Sequence, residues 1–118
     1  MRMRGSMRGT RQRSSLRPHW FHILLSLADR DLHGLQIMEE VRARTDGDVH
    51  LWPGMLYGSL KQMTDEGLVV ETDAPKDAEP GGGRPRYYRI TKDGRRALSA
   101  EVARLSGYVA AALAKNVT

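Results

Sequence analysis

Leu51-Trp52-Pro53-Gly54-Met55-Leu56-Tyr57-Gly58-Ser59-Leu60-Lys61 is the stretch that decides the fold. Pro53 suits a first helical position, because its missing N–H would be unpaired there anyway. Counted from it, Leu51 precedes the cap and Leu56 is the fourth helical residue, the spacing of a hydrophobic staple. Leu56, Leu60 and Met63 follow at 0, +4 and +7 and predict one buried stripe. Trp52 falls at the cap and offers no capping oxygen, so the first backbone N–H groups lack a local acceptor; a phosphate could serve. The opposite face carries Met55, Tyr57, Gly58, Lys61 and Gln62. Gly67 is expected as the C-cap.

Beyond that helix, Leu68 to Thr72 reads as a strand and Arg86 to Ile90 as its return. Residues 73 to 84 hold Pro75, Pro80 and Gly81-Gly82-Gly83, the composition of a hairpin tip. On the return strand Tyr88 and Ile90 share one face, Tyr87 and Arg89 the other. Upstream, Trp20, Ile23, Leu24 and Leu27 predict a helix from about Pro18 to Ala28. Leu35, Ile37, Met38 and Val41 predict a second from about Gly34 to Arg44, with Glu39 and Glu40 ahead of Arg42 and Arg44 as the macrodipole prefers. Thr91 is a fitting N-cap for a last helix, with Asp93 in its first turn. Leu98, Val102, Leu105, Val109 and Ala112 then recur at heptad spacing. A helix from about Lys92 to Lys115 would be roughly 35 Å long at 1.5 Å per residue. That is too long to cover against so small a body, and self-association would cover it.

Size and charge narrow the function. A chain of 118 residues supports one domain with a modest core. Cysteine is absent, which excludes disulfides and thiolate metal sites. No apolar run approaches the ~20 residues of a bilayer span. The first arginines lead into no apolar core, so no secretory signal is expected. A cytoplasmic protein with no membrane partner is the default. The net charge is +5, but Arg2, Arg4, Arg8, Arg11, Arg13 and Arg17 all precede the first helix. Removing those six from 19 basic residues leaves 13 against 14 acidic ones, a net of −1. A nucleic acid must therefore be met by a local patch, not by bulk charge. Residues 1–17 read as a disordered or expression-derived tail before they read as a functional arm on phosphates or in a minor groove.

The expected architecture is mainly α with a small β-hairpin: a winged helix-turn-helix over residues 18–91 and a long C-terminal dimerisation helix over 92–118. In such a fold the third helix and the wing are the DNA-facing parts. Candidate contacts are Pro53, Gly54, Tyr57, Lys61 and Gln62 on the helix and Arg84 and Arg86 at the wing. Each has a plainer alternative. Tyr57 could be half-buried against the second helix, Lys61 and Gln62 merely solvated, and the arginines a charged strand edge. The wing reading is favoured because Asp73, Asp77 and Glu79 lie on the other arm. Arg89 points the other way and is expected to pair with an acid. Lys92, Arg95 and Arg96 remain open between DNA backbone and a dimer partner. Leu98, Val102, Leu105, Val109 and Ala112 are the dimerisation stripe. Trp20, Phe21 and Trp52 are core residues first and lining for a ligand pocket second. His19 and His22 stand at i, i+3 without further ligands, so no metal or other cofactor is expected. No nucleophile–base arrangement, carboxylate pair or phosphate loop points to an enzyme.

From about Trp20 to Val109 the chain resembles the PadR family of winged-helix transcriptional regulators. The resemblance rests on Leu32-His33-Gly34, on Pro53-Gly54-Met55-Leu56-Tyr57-Gly58-Ser59-Leu60, on Glu66-Gly67-Leu68, and on Arg86-Tyr87-Tyr88-Arg89-Ile90-Thr91-Lys92-Asp93-Gly94. Singly these are ordinary; their order and spacing are specific. The short tail is similar to the compact subgroup with a single C-terminal dimerisation helix. The resemblance implies a homodimeric repressor on a palindromic operator in double-stranded DNA, often released by a small aromatic or hydrophobic effector. Met55 replaces a common small hydroxyl residue, Gly58 a bulkier residue or proline, and Leu35 a frequent aromatic. Base preferences therefore do not carry over from relatives. A winged-helix protein-interaction module without specific DNA binding is the alternative.

Overall fold

The computed structural model describes residues 16–76 and 85–117. Four helices and three short strands follow in the order α1 (Pro18–Ser26), β1 (Leu32–His33), α2 (Gly34–Arg44), α3 (Pro53–Asp65), β2 (Val69–Thr72), β3 (Tyr87–Ile90) and α4 (Lys92–Ala114). α1 stops two residues short of the expected Ala28. Among the described residues the sheet is antiparallel with β3 in the middle. β2 pairs with it as the expected hairpin, Val69 opposite Ile90 and Thr72 opposite Tyr87. β1 adds a third strand that sequence reading missed, with Leu32 opposite Tyr88 and His33 opposite Tyr87. Two residues are too few to show a period of two.

β1 leads directly into α2 through a reciprocal cap. His33 Nδ1 accepts from the Gln36 amide at 3.3 Å, and Gln36 Oε1 accepts from the His33 amide at 3.0 Å. Histidine here takes the part usually held by serine or threonine in a capping box. α3 begins at Pro53 without a side-chain cap, as Trp52 requires. It ends in a Schellman motif. Gly67 takes φ 81°, its amide donates to Thr64 O, and the Leu68 amide donates to Met63 O. That closure turns the chain straight into β2.

The core gathers Trp20, Ile23 and Leu24 of α1, Ile37 and Val41 of α2, Leu56, Leu60 and Met63 of α3, and Val69, Tyr88 and Ile90 of the sheet. Leu51 and Leu56 are both buried, as the staple requires. Burying each large aliphatic side chain contributes about 1.5–3 kcal/mol, so α3's inner stripe largely fixes its orientation. Leu16 is also buried, and its amide donates to Glu101 Oε1 at 3.2 Å. Leu16 and Arg17 therefore belong to the body, while the rest of the expected tail lies outside the described residues.

α4 starts as expected, with Thr91 Oγ1 accepting from the Gly94 amide at 3.0 Å. Gly94 sits so close to β2 that a Cβ there would overlap the Leu68 carbonyl and lie 2.8 Å from Ile90 Cγ1. Leu98, expected on the self-association stripe, is buried in the body core instead. Val102, Leu105 and Val109 beyond it are exposed.

Candidate nucleic-acid interface

The outer face of α3 is open to solvent. Pro53, Gly54, Tyr57, Lys61 and Gln62 are all exposed, as is Met55, whereas Ser59 is buried. Tyr57 combines its two readings. Its side chain is 47 % exposed, yet its ring lies against the start of α2, where a Cβ on Gly34 would overlap the hydroxyl and approach Cζ to 2.7 Å. Gly34 is thus the residue that lets α3 present Tyr57 outward from a fixed seat.

The charged side chains of this surface are not idle. Lys61 pairs with Asp65 one turn on at 3.7 Å. Gln62 accepts from Arg17 Nη1 at 3.3 Å, and the same guanidinium lies 4.8 Å from the Trp20 ring centroid. Arg86 pairs with Glu71 across the wing at 3.0 Å. Burial, then the nearby Glu71 charge, push the Tyr88 hydroxyl above its ordinary pKa, while Arg86 pulls the other way. Of the one-sided wing charge expected from Asp73, Asp77 and Glu79, the described residues show Arg86 meeting an acid of the other arm. That acid, Glu71, sits diagonally across the ladder from Arg86. Arg84, Asp77 and Glu79 lie outside the described residues. Arg89 does pair with an acid, its Nε and Nη2 donating to Asp31 at 3.2 and 2.8 Å.

Exposed pairs of this kind are worth about 0–1 kcal/mol. Lys61 and Arg86 can therefore exchange a carboxylate for a phosphate at little cost. Arg95 and Arg96 are both engaged within the chain, Arg95 donating to Ala28 O beyond α1 at 2.6 Å and Arg96 pairing with Asp93 at 2.7 Å. The Lys61–Asp65 pairing was legible from its i, i+4 spacing. The Arg17–Gln62 contact spans 45 residues, and no local pattern announces it.

The three aromatics proposed as pocket lining have different surroundings. Trp20 is core. Phe21 borders an open apolar groove with Val102, Leu105, Ser106 and Val109 of α4. Trp52 stands at the start of α3, 60 % exposed and stacked on His50 with ring centroids 4.3 Å apart. His19 and His22 are held below the ordinary histidine pKa first by burial and then by Arg17 and Arg44 respectively. His22 Nδ1 faces Arg44 Nη2 at 3.3 Å. No described helix is long and apolar enough to cross a membrane.

Comparison with known proteins agrees with this geometry. No curated protein matches the sequence. Among solved structures, a transcriptional regulator from Clostridium thermocellum is 21 % identical, with TM-score 0.66 over 85 % of this chain and 90 % of that one. A PadR family regulator from Clostridium difficile R20291 is 22 % identical, with TM-score 0.65 over 80 % of this chain and 93 % of that one. Bacillus subtilis PadR, solved with operator DNA, is 21 % identical, with TM-score 0.61; the match covers 74 % of this chain and 47 % of the longer Bacillus protein. At these identities the likeness carries the fold. The model of the PadR-like family of transcriptional regulators matches residues 23–100, about two thirds of the sequence. The chain therefore belongs to the PadR-like family, whose members are transcriptional regulators and not enzymes.

Proposed function

We propose that this chain is a cytoplasmic, dimeric DNA-binding repressor. α3 enters the major groove, and the wing rests on flanking backbone. The observation that carries this reading is the outer face of α3. It is a helix anchored by a buried stripe, open on the other side, with Lys61 and Arg86 in exposed pairs that a phosphate can replace. The Bacillus relative's complex with operator DNA supports the same reading. Val102, Leu105 and Val109, beside Phe21, supply an apolar surface for a second copy. A two-fold dimer would place two α3 helices on half-sites about one DNA turn apart, roughly 34 Å, so a palindromic operator is expected. Where two copies meet over that surface, Phe21 would border a pocket at the dimer interface for a small aromatic or hydrophobic effector that releases the protein.

The test is equilibrium binding to a palindromic site from the chain's own promoter region across a salt series. Specific affinity should exceed that for random DNA by at least about a thousandfold. Equal affinity for both would leave the protein-interaction alternative standing.

A further inference from the structure

The first turns of α3 expose a different chemistry from its last. Trp52 and Met55 are 60 % and 41 % exposed. The indole is held in water by its stack on His50, the two planes 18° apart. Around them Gly54 and Gly58 carry no side chain, and a Cβ at either would meet nothing within 4 Å. Nothing protrudes there to hold another body away. The hydrogen-bonding side chains of this face, Lys61 and Gln62, stand at its far end, each with a partner. The Tyr57 ring rests against Gly34 with its side chain 47 % exposed. The leading end therefore presents mainly apolar surface, its polar atoms being the Trp52 indole N–H, the His50 ring stacked on it and the Tyr57 hydroxyl.

A recognition helix meets base edges with its N-terminal residues. With exposed apolar surface there, it can distinguish bases by the apolar group the major groove displays, the 5-methyl of thymine. We propose that Trp52 and Met55 read thymine methyl groups, so that the operator is selected at these positions by methyl contact and not by hydrogen bonding. This rests on the reading that α3 enters the major groove.

The test uses the full chain and a duplex carrying the site it selects from random DNA. Its thymines are replaced one at a time by deoxyuridine, which removes the methyl and leaves every hydrogen-bonding group. At one or two positions per half-site, affinity should fall about fourfold, the effect of one buried methyl. In Trp52→Ala or Met55→Ala that position should become indifferent to the methyl. Both side chains are exposed, so the variants should keep the parent's circular dichroism spectrum. If the selected site is bound but every uracil is tolerated, methyl reading is overturned and DNA recognition stands. If sensitivity persists in both variants, the assignment to these two residues is overturned. If no site is selected at all, recognition by α3 fails with it.

Discussion

From Lys92 to Glu101 helix α4 is part of the body; from Val102 to Ala114 it is a rod with little of its own chain to lean on. In the first part Gly94 abuts the Leu68 carbonyl, Leu98 is 8 % exposed and Glu101 takes the Leu16 amide. In the second, Val102, Leu105, Val109 and Leu113 stand 37 to 58 % exposed. A free helix of about a dozen residues is marginal in water, and an apolar row of this length is more than ordinary surface scatter. The heptad pattern is continuous across both parts. Periodicity tells which side of a helix is apolar, but not whether the partner for a given turn is the same chain or another.

The largest expected effect breaks the first part. Leu98→Ala should lower the stability of the body by roughly 2–4 kcal/mol, the cost of a large-to-small change in a packed core. The urea midpoint, measured well below the association concentration, reads it. A loss under about 1 kcal/mol would move Leu98 back to the outer stripe. Next comes the second part. Leu105→Asp should weaken self-association by roughly thirtyfold, on the order of 2 kcal/mol for a charge placed in an apolar contact. The far-UV melting midpoint of the monomer should stay put. Sedimentation equilibrium separates the two outcomes, and an unchanged dimer constant would remove α4 from the interface.

Much of this fold was legible in the residues. Pro53, the Leu51–Leu56 staple and the Leu56, Leu60, Met63 stripe located α3 to the residue, because caps and helical periods are local. Thr91 and Asp93 did the same for α4. What escaped was set by tertiary register. β1 depends on Leu32 meeting Tyr88, 56 positions away in number and invisible to any window. Glu71 meets Arg86 only because the hairpin register puts Glu71 opposite Tyr88; an irregular tip hides that register. The same holds for Trp52. Its place at the cap was clear, but its stack on His50 was not.

The smallest effect lies at the boundary between the two parts. Glu101 is buried, and Arg104, one turn on, forms a tight charged pair with it. Hydrogen bonding from Arg104 draws the carboxyl below its ordinary pKa of 4.5, burial opposes this, and the Leu16 amide adds to it. A carboxyl whose folded pKa is depressed binds protons more readily in the unfolded chain. The stability it contributes is therefore fully present above about pH 5 and is lost as pH falls through 4.5 and below. Glu101→Gln keeps the shape and an acceptor for Leu16 but has no proton to take up. Its unfolding midpoint should lie below the parent's at pH 7, and the gap should narrow between pH 5 and pH 3. If the two curves stay parallel over that range, the Glu101 charge does not hold the Leu16 backbone to α4. The division of the helix would then rest on Gly94 and Leu98 alone.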